Sequence, residues 1–316
     1  AGPEIRARQE RQFGALLRRV LQSNEFYRSK YREAGISLSR PLGLSDCRGL
    51  PFTERAELLE DQRRQPPLGS NLTHPASRLT RIHREEREGD ALAWGDTAES
   101  WEWCLRCWMT ILESAEVGGE ERVGVFSSFG PRPEPWAVLE AAQRLGALAL
   151  PADATEPGPP LAWLGEQAPS VLVGRPEELE LLAGSALSPS SVILLADAPP
   201  QRPGPPKGLK RYLDGVRVHW AVSSTELGPW GHTCGEGSAL HVNEAEFVVE
   251  IVDPRTGEPA EPDGNRPRRG ELVLTNLGRE ASPLIRYRTG LRVALAGRGC
   301  GCGKGTAVLA LPSSGG

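Results

Sequence analysis

Gly270–Leu291 reads GELVLTNLGREASPLIRYRTGL. Two β-rich runs, Glu271–Thr275 and Ser282–Arg288, flank a polar linker, and a third, Arg292–Ala296, follows. With the upstream run Ala245–Val252 and the turn at Pro254–Gly257, this predicts a mainly antiparallel, β-rich subdomain over 233–316.

Ahead of it the texture differs. Val123–Ser128, Leu148–Ala152, Val171–Gly174, Val192–Ala196 and Val216–Val222 are short apolar runs, the pattern of strands covered on both faces. Helical patterns lie between several of them. Glu134–Leu145 is one, and Glu177–Ala183 is another, opened by Pro176 at a favoured first position. The alternation predicts an α/β unit over 81–232, a layered parallel sheet with flanking helices. Trp101, Leu105, Trp108 and Leu112 share one helix face and are expected in the core. So are Phe13, Leu16, Leu17, Val20 and Leu21, in a helical segment over 1–80 packed on that core.

Composition narrows the function. The 316 residues carry a net charge of −4, which argues against a nucleic-acid partner. No apolar run approaches the roughly 18 residues of a membrane span. The first thirty residues are charged throughout, so no signal peptide is expected and the default compartment is cytoplasmic. The six cysteines are then reduced thiols or metal ligands. Cys104 and Cys107, on the Trp-rich helix, are read as packing residues.

The Gly-Glu-Leu-Val start and the Pro-Leu-Ile-Arg-Tyr-Arg-Thr-Gly end of the opening stretch resemble a signature of the phenylacetate–CoA ligase family, a branch of the adenylate-forming enzymes. Further segments match in order: Leu50–Leu59 (LPFTERAELL), Arg81-Ile82-His83, Thr225-Glu226 with Gly228-Pro229-Trp230-Gly231, Leu240-His241, and Glu250–Gly257. The resemblance covers about residues 25 to 303. It implies the large N-terminal domain of an adenylate-forming enzyme, followed in the family by a mobile C-terminal lid. It also implies two-step chemistry: a carboxylate attacks ATP to give an acyl-adenylate, and CoA thiol then displaces AMP.

By the same resemblance, Thr225 and Glu226 are the catalytic pair, with Glu226 positioning Mg²⁺ and phosphates. Arg288 is a nucleotide contact. Ser127, Phe129, Gly130 and Trp136 line an acyl pocket. Cys234, His241, Cys300 and Cys302 form a structural zinc site, three thiolates and an imidazole suited to tetrahedral Zn²⁺.

Several positions depart from the family. Its Ser-Ser-Gly-Thr-Thr-Gly phosphate loop is replaced after His83 by Arg84-Glu85-Glu86-Arg87-Glu88-Gly89-Asp90, read as a solvated charged turn. Val222 stands where an aromatic residue stacks on adenine, and Leu195-Ala196-Asp197 falls where the family has Gly-Gly-Glu. Leu291 stands where an Asp holds the ribose hydroxyls. The lid and its lysine are expected to be absent, since Lys304 does not match that position.

The leading expectation is thus a ligase-like homologue, degenerate in ATP-dependent adenylation, that binds a carboxylic acid, an acyl-CoA or a protein partner. One alternative is an active ligase using ATP and Mg²⁺, completed by a separate lid-bearing chain. The other is a zinc-stabilised interaction module.

Overall fold

A computed structural model describes residues 2–37, 40–87, 89–156, 158–200, 204–234, 239–262, 267–297, 300–303 and 305–310. Glu88 and Lys304, singled out in the sequence, lie outside the described residues.

The chain begins with helices α1 (Pro3–Ser23), α2 (Glu25–Glu33) and α3 (Arg55–Arg64). Asn24 caps α2 by accepting a hydrogen bond from the Tyr27 amide. The apolar face of α1 packs Phe13, Leu16, Leu17 and Val20 against Tyr27, Tyr31, Leu277 and Ile285. The last two belong to the stretch that opened the sequence reading, so the N-terminal helices clamp it in place. Tyr27 completes the clamp: its hydroxyl accepts from the Ile285 amide at 2.8 Å.

A hairpin follows, β1 (Arg81–Arg87) and β2 (Asp90–Asp96), forming a two-stranded antiparallel sheet. Helix α4 (Ala98–Ser114) comes next, with Trp101, Leu105, Trp108 and Leu112 all buried, as its periodicity predicted. Cys104 and Cys107 are buried beside them, and burial pushes both thiols up from their ordinary pKa.

The α/β alternation then unfolds: β3 (Arg122–Ser127), α5 (Glu134–Arg144), β4 (Leu148–Asp153), α6 (Gly158–Gln167), β5 (Val171–Gly174), α7 (Pro176–Leu179), β6 (Ser191–Ala196) and β7 (Arg217–Ser224). These five strands are parallel, in the order β4-β3-β5-β6-β7. The remaining strands are β8 (Gly228–Thr233), β9 (Ala239–Val242), β10 (Phe247–Val252), β11 (Arg268–Asn276), β12 (Tyr287–Gly297) and β13 (Val308–Ala310). They pair antiparallel and extend the same sheet, in the order β10-β11-β12-β13-β9-β8-β7. Among the described residues one eleven-stranded sheet therefore runs through both textures of the sequence.

Two expectations are corrected. The strand expected at Ser282–Arg288 begins only at Tyr287. Arg286 sits at φ 50°, a left-handed conformation that no strand continues. Side-chain bonds hold it there: its amide donates to Thr275 Oγ1 at 2.8 Å and its guanidinium makes two 3.0 Å bonds to Glu250. The charged turn expected after His83 is instead strand β1. Its alternation buries His83 and Glu85 while leaving Arg84 and Glu86 exposed.

Candidate active-site cleft and candidate metal centre

The first cleft, about 200 Å³, opens beyond the carboxyl ends of β6 and β7, where open α/β sheets commonly bind ligands. Arg87 from β1, Asp197 and Ala198 after β6, Ser224, Glu226 and Leu227 after β7, and Tyr287, Thr289 and Leu291 of β12 line it. Arg87, Asp197 and Leu291, from three of the segments that depart from the family, thus meet in one place.

Glu226 is set by the β7–β8 turn. Gly228, at φ 82°, turns the chain there, and a side chain would press on Trp103 at 3.1 Å. The buried Arg279 donates to the carbonyls of Thr225 and Glu226 while pairing with the fully buried Asp96. Such a pair fixes geometry; removing one partner would strand a buried charge. His83, stacked on Trp101, lies 3.9 Å from Asp96. Burial, and then Arg279, lower its pKa to about 4, so it is neutral near pH 7.

Against Glu226 sits Glu85, only 2% exposed, with the two carboxyls in hydrogen-bonding reach. Glu85 Oε1 accepts from Arg87 at 3.2 Å and Arg132 at 3.4 Å, and Tyr287 donates to Glu226 Oε1 at 3.3 Å. The other oxygen of each carboxyl has no further partner, an arrangement that one shared proton satisfies. Burial and then Glu226 accordingly raise the Glu85 pKa. An ion-pair wall continues outward. Asp197 bonds to Arg175 at 2.9 and 3.3 Å and to Arg132 at 3.3 Å. Burial raises the Asp197 pKa, but these arginines outweigh it and hold the carboxyl below its ordinary range.

The other predicted residues are dispersed. Thr225 is buried behind the turn. Arg288 is bound by Glu271 at 2.5 and 3.0 Å and by the Pro254 carbonyl at 2.8 Å, and it does not line the cleft. Ser127 and Gly130 line a second cavity of about 160 Å³. Trp136, 39% exposed, stacks edge-on with Phe129 instead, and its indole N–H donates to the Gly130 carbonyl. Sequence reasoning missed Glu85, Arg87, Arg132 and Tyr287. For the first two a signal existed, since His83, Glu85 and Arg87 fall on one face at the two-residue period of a strand.

Cys234 after β8, His241 on β9, and Cys300 and Cys302 in the turn before β13 come together with all four ligand atoms within 4.8 Å of one another. Cys234 and Cys300 sulfurs are 3.4 Å apart, and Cys302 Sγ is 3.5 Å from His241 Nε2. Tetrahedral zinc with Zn–S of about 2.3 Å needs ligand separations near ~3.8 Å, so small shifts would accommodate it. His241 Nδ1 meets Thr306 Oγ1 at 2.9 Å, leaving Nε2 facing the thiols, the outer-shell contact that orients a metal-binding imidazole. The donor set fits zinc.

No protein-family model matches the chain. It is 26% identical to a phenylacetate-coenzyme A ligase of Thermus thermophilus, over 95% of this chain and 68% of that protein. It is 25% identical to the Escherichia coli enzyme of that name, over 90% and 66%. Over most of its length the chain is similar to phenylacetate–CoA ligases. It spans about two thirds of the length of these curated relatives. The adenylate-forming fold recurs in 2-hydroxyisobutyryl-CoA ligase, solved with 2-HIB-AMP and CoA. That likeness has a TM-score of 0.84 at 22% identity, over 95% of this chain and 67% of that one. Among the described residues no helix is long and apolar enough to cross a membrane.

Proposed function

We propose that this phenylacetate–CoA ligase homologue has lost ATP-dependent adenylation and acts as a binding protein for a carboxylic acid or acyl ligand. The observation that carries the reading is the Glu85–Glu226 carboxyl pair. By the family resemblance the residues after His83 are the phosphate loop, where backbone amides receive triphosphate oxygens. Here that segment is a strand paired with β2, its Arg84 amide donates to the Pro131 carbonyl, and it sets the buried Glu85 carboxyl against Glu226, which lines the cleft. One unit charge 4 Å from a phosphate oxygen costs about 4 kcal/mol at an effective dielectric of 20. Leu291 adds an apolar wall where two ribose hydroxyls would need partners. The 2-hydroxyisobutyryl-CoA ligase, which carries an acyl-AMP and CoA in its crystals, supports an acyl ligand as the class retained.

We further propose that Cys234, His241, Cys300 and Cys302 hold a structural zinc that ties β13 to the sheet. Bound there, the metal would supply cross-linking of β8, β9 and the 300–303 turn.

Calorimetric titration of ATP and AMP, each with Mg²⁺, into the purified protein tests the main reading. No heat of binding at millimolar nucleotide is expected. Micromolar affinity, or pyrophosphate exchange with any carboxylic acid, would overturn it.

A further inference from the structure

The six cysteines divide by access and by neighbours. Cys47, Cys104 and Cys107 are buried, and burial pushes all three thiols up, so almost none of each is thiolate near pH 7. Cys300 and Cys302 are half-buried, and Cys234 beside them is 5% exposed. Oxidants attack thiolates that they can reach, so the Cys300 turn holds the thiols open to them.

Within that group two sulfurs are already paired off. Cys234 Sγ lies 3.4 Å from Cys300 Sγ, whereas Cys302 Sγ has His241 Nε2 at 3.5 Å. A disulfide needs its sulfurs at about 2.05 Å, a closure within reach of side-chain rotation across such a gap. The placement gives that bond a consequence. Cys234 follows β8 and Cys300 precedes β13, the three-residue strand that joins β12 to β9 in the sheet. A bond between the two sulfurs would hold this junction covalently, as the four donors would hold it through a metal.

We infer that Cys234 and Cys300 are a redox-active pair, which hydrogen peroxide joins in a disulfide with release of zinc. The release rests on the zinc reading above; the bond does not. Zinc bound here would supply deprotonation, since a coordinating thiol is held as thiolate at neutral pH. The Cys300 thiolate attacks one peroxide oxygen. The O–O bond breaks, Cys300 becomes a sulfenic acid, and the departing hydroxide takes up a proton as water. The Cys234 thiolate then attacks the Cys300 sulfur. The S–S bond forms, the S–O bond breaks, and the second hydroxide also leaves as water. Two electrons pass from the two sulfurs to the peroxide. His241 and Cys302 remain, half of the donor set and too few to keep zinc from a chelator.

The test titrates the full reduced chain with hydrogen peroxide. A chromogenic chelator reads released zinc, a thiol reagent counts thiols, and peptide mass mapping locates the bridge. Two thiols should be lost for each zinc released, with Cys234 cross-linked to Cys300 and with Cys47, Cys104 and Cys107 unmodified. Dithiothreitol should restore both thiols and zinc binding. The oxidised chain should melt above the reduced chain stripped of metal, because it keeps one tie at the junction. Cys300→Ser should form no bridge, and Cys302→Ser, which keeps both sulfurs of the pair, should still form it. The wild-type map decides the matter even where a variant does not fold. A bridge between Cys300 and Cys302, oxidation to sulfinic acid with no bridge, or a bridge formed with zinc retained would each overturn the inference. Reduced protein that holds no zinc before peroxide is added would instead sink the zinc reading and the release with it, while the mapped bridge would still decide the pair.

Discussion

The Cys–His centre and the nucleotide cleft stand on the same sheet, and they have fared oppositely. At the first, Cys234, His241, Cys300 and Cys302, the positions expected from the resemblance to bind metal, have their donor atoms within 4.8 Å of one another. At the second, the segment that the resemblance expects as a phosphate loop is strand β1, Leu291 stands where the resemblance expects a ribose contact, and Glu85 faces Glu226. The difference teaches that inheritance acts site by site. The first site gathers metal-type donors, whereas the second gathers carboxyls and arginines.

The largest effect expected from this contrast is metal removal. If zinc is held a thousandfold above its dissociation constant, linkage contributes about 4 kcal/mol to folding. Elemental analysis should find one zinc per chain. Stripping it with a chelator should lower the urea midpoint accordingly, and Cys302→Ser should bind less metal and start from the lower midpoint. A chain without zinc whose stability ignores chelators would put both sites in the same class, as relics.

A smaller effect sharpens the other side. Because Glu85 holds its proton more tightly folded than unfolded, the folded state binds more protons at pH values between the ordinary carboxyl pKa and the raised one. Stability from this group is therefore greatest below that window and lost as pH rises through it. Glu85→Gln, which keeps a donor toward Glu226, should gain on the order of 1–2 kcal/mol at pH 8 and almost nothing at pH 4. Denaturant midpoints at the two pH values measure this. A gain that does not change with pH would mean that the two carboxyls do not share a proton.

The contrast also explains what could be read without coordinates. The clustering of Cys234, His241, Cys300 and Cys302 was legible because the four residue types share one metal chemistry, and the fold brings them together. The parallel strands were legible because β3, β5 and β6 are continuous apolar runs buried on both faces. The start of β12 was not, because a single left-handed residue, Arg286, is stabilised by Thr275 and Glu250, which lie far from it in sequence. Glu85 was missed for a related reason. Its environment comes from Glu226, Arg132 and Tyr287, and charge-rich composition alone reads as solvated surface.

The smallest expected effect discriminates best. Leu291 lines the cleft and is a departure that one point substitution can revert. If ribose recognition were all that was lost, Leu291→Asp would restore two hydroxyl bonds, worth about 1.5–3 kcal/mol each to a charged acceptor, and AMP affinity would rise by well over tenfold. On the present reading it does not, because the segment after His83 is still a strand paired with β2 and the buried Glu85 still sits against Glu226. The added carboxylate joins Glu226 and Asp197 in the cleft lining and disfavours an anion further. AMP titrated into Leu291→Asp should therefore remain without measurable heat at millimolar concentration. Micromolar AMP binding by that one variant would place the barrier at the ribose, and the carboxyl pair would lose its claim to have closed the site.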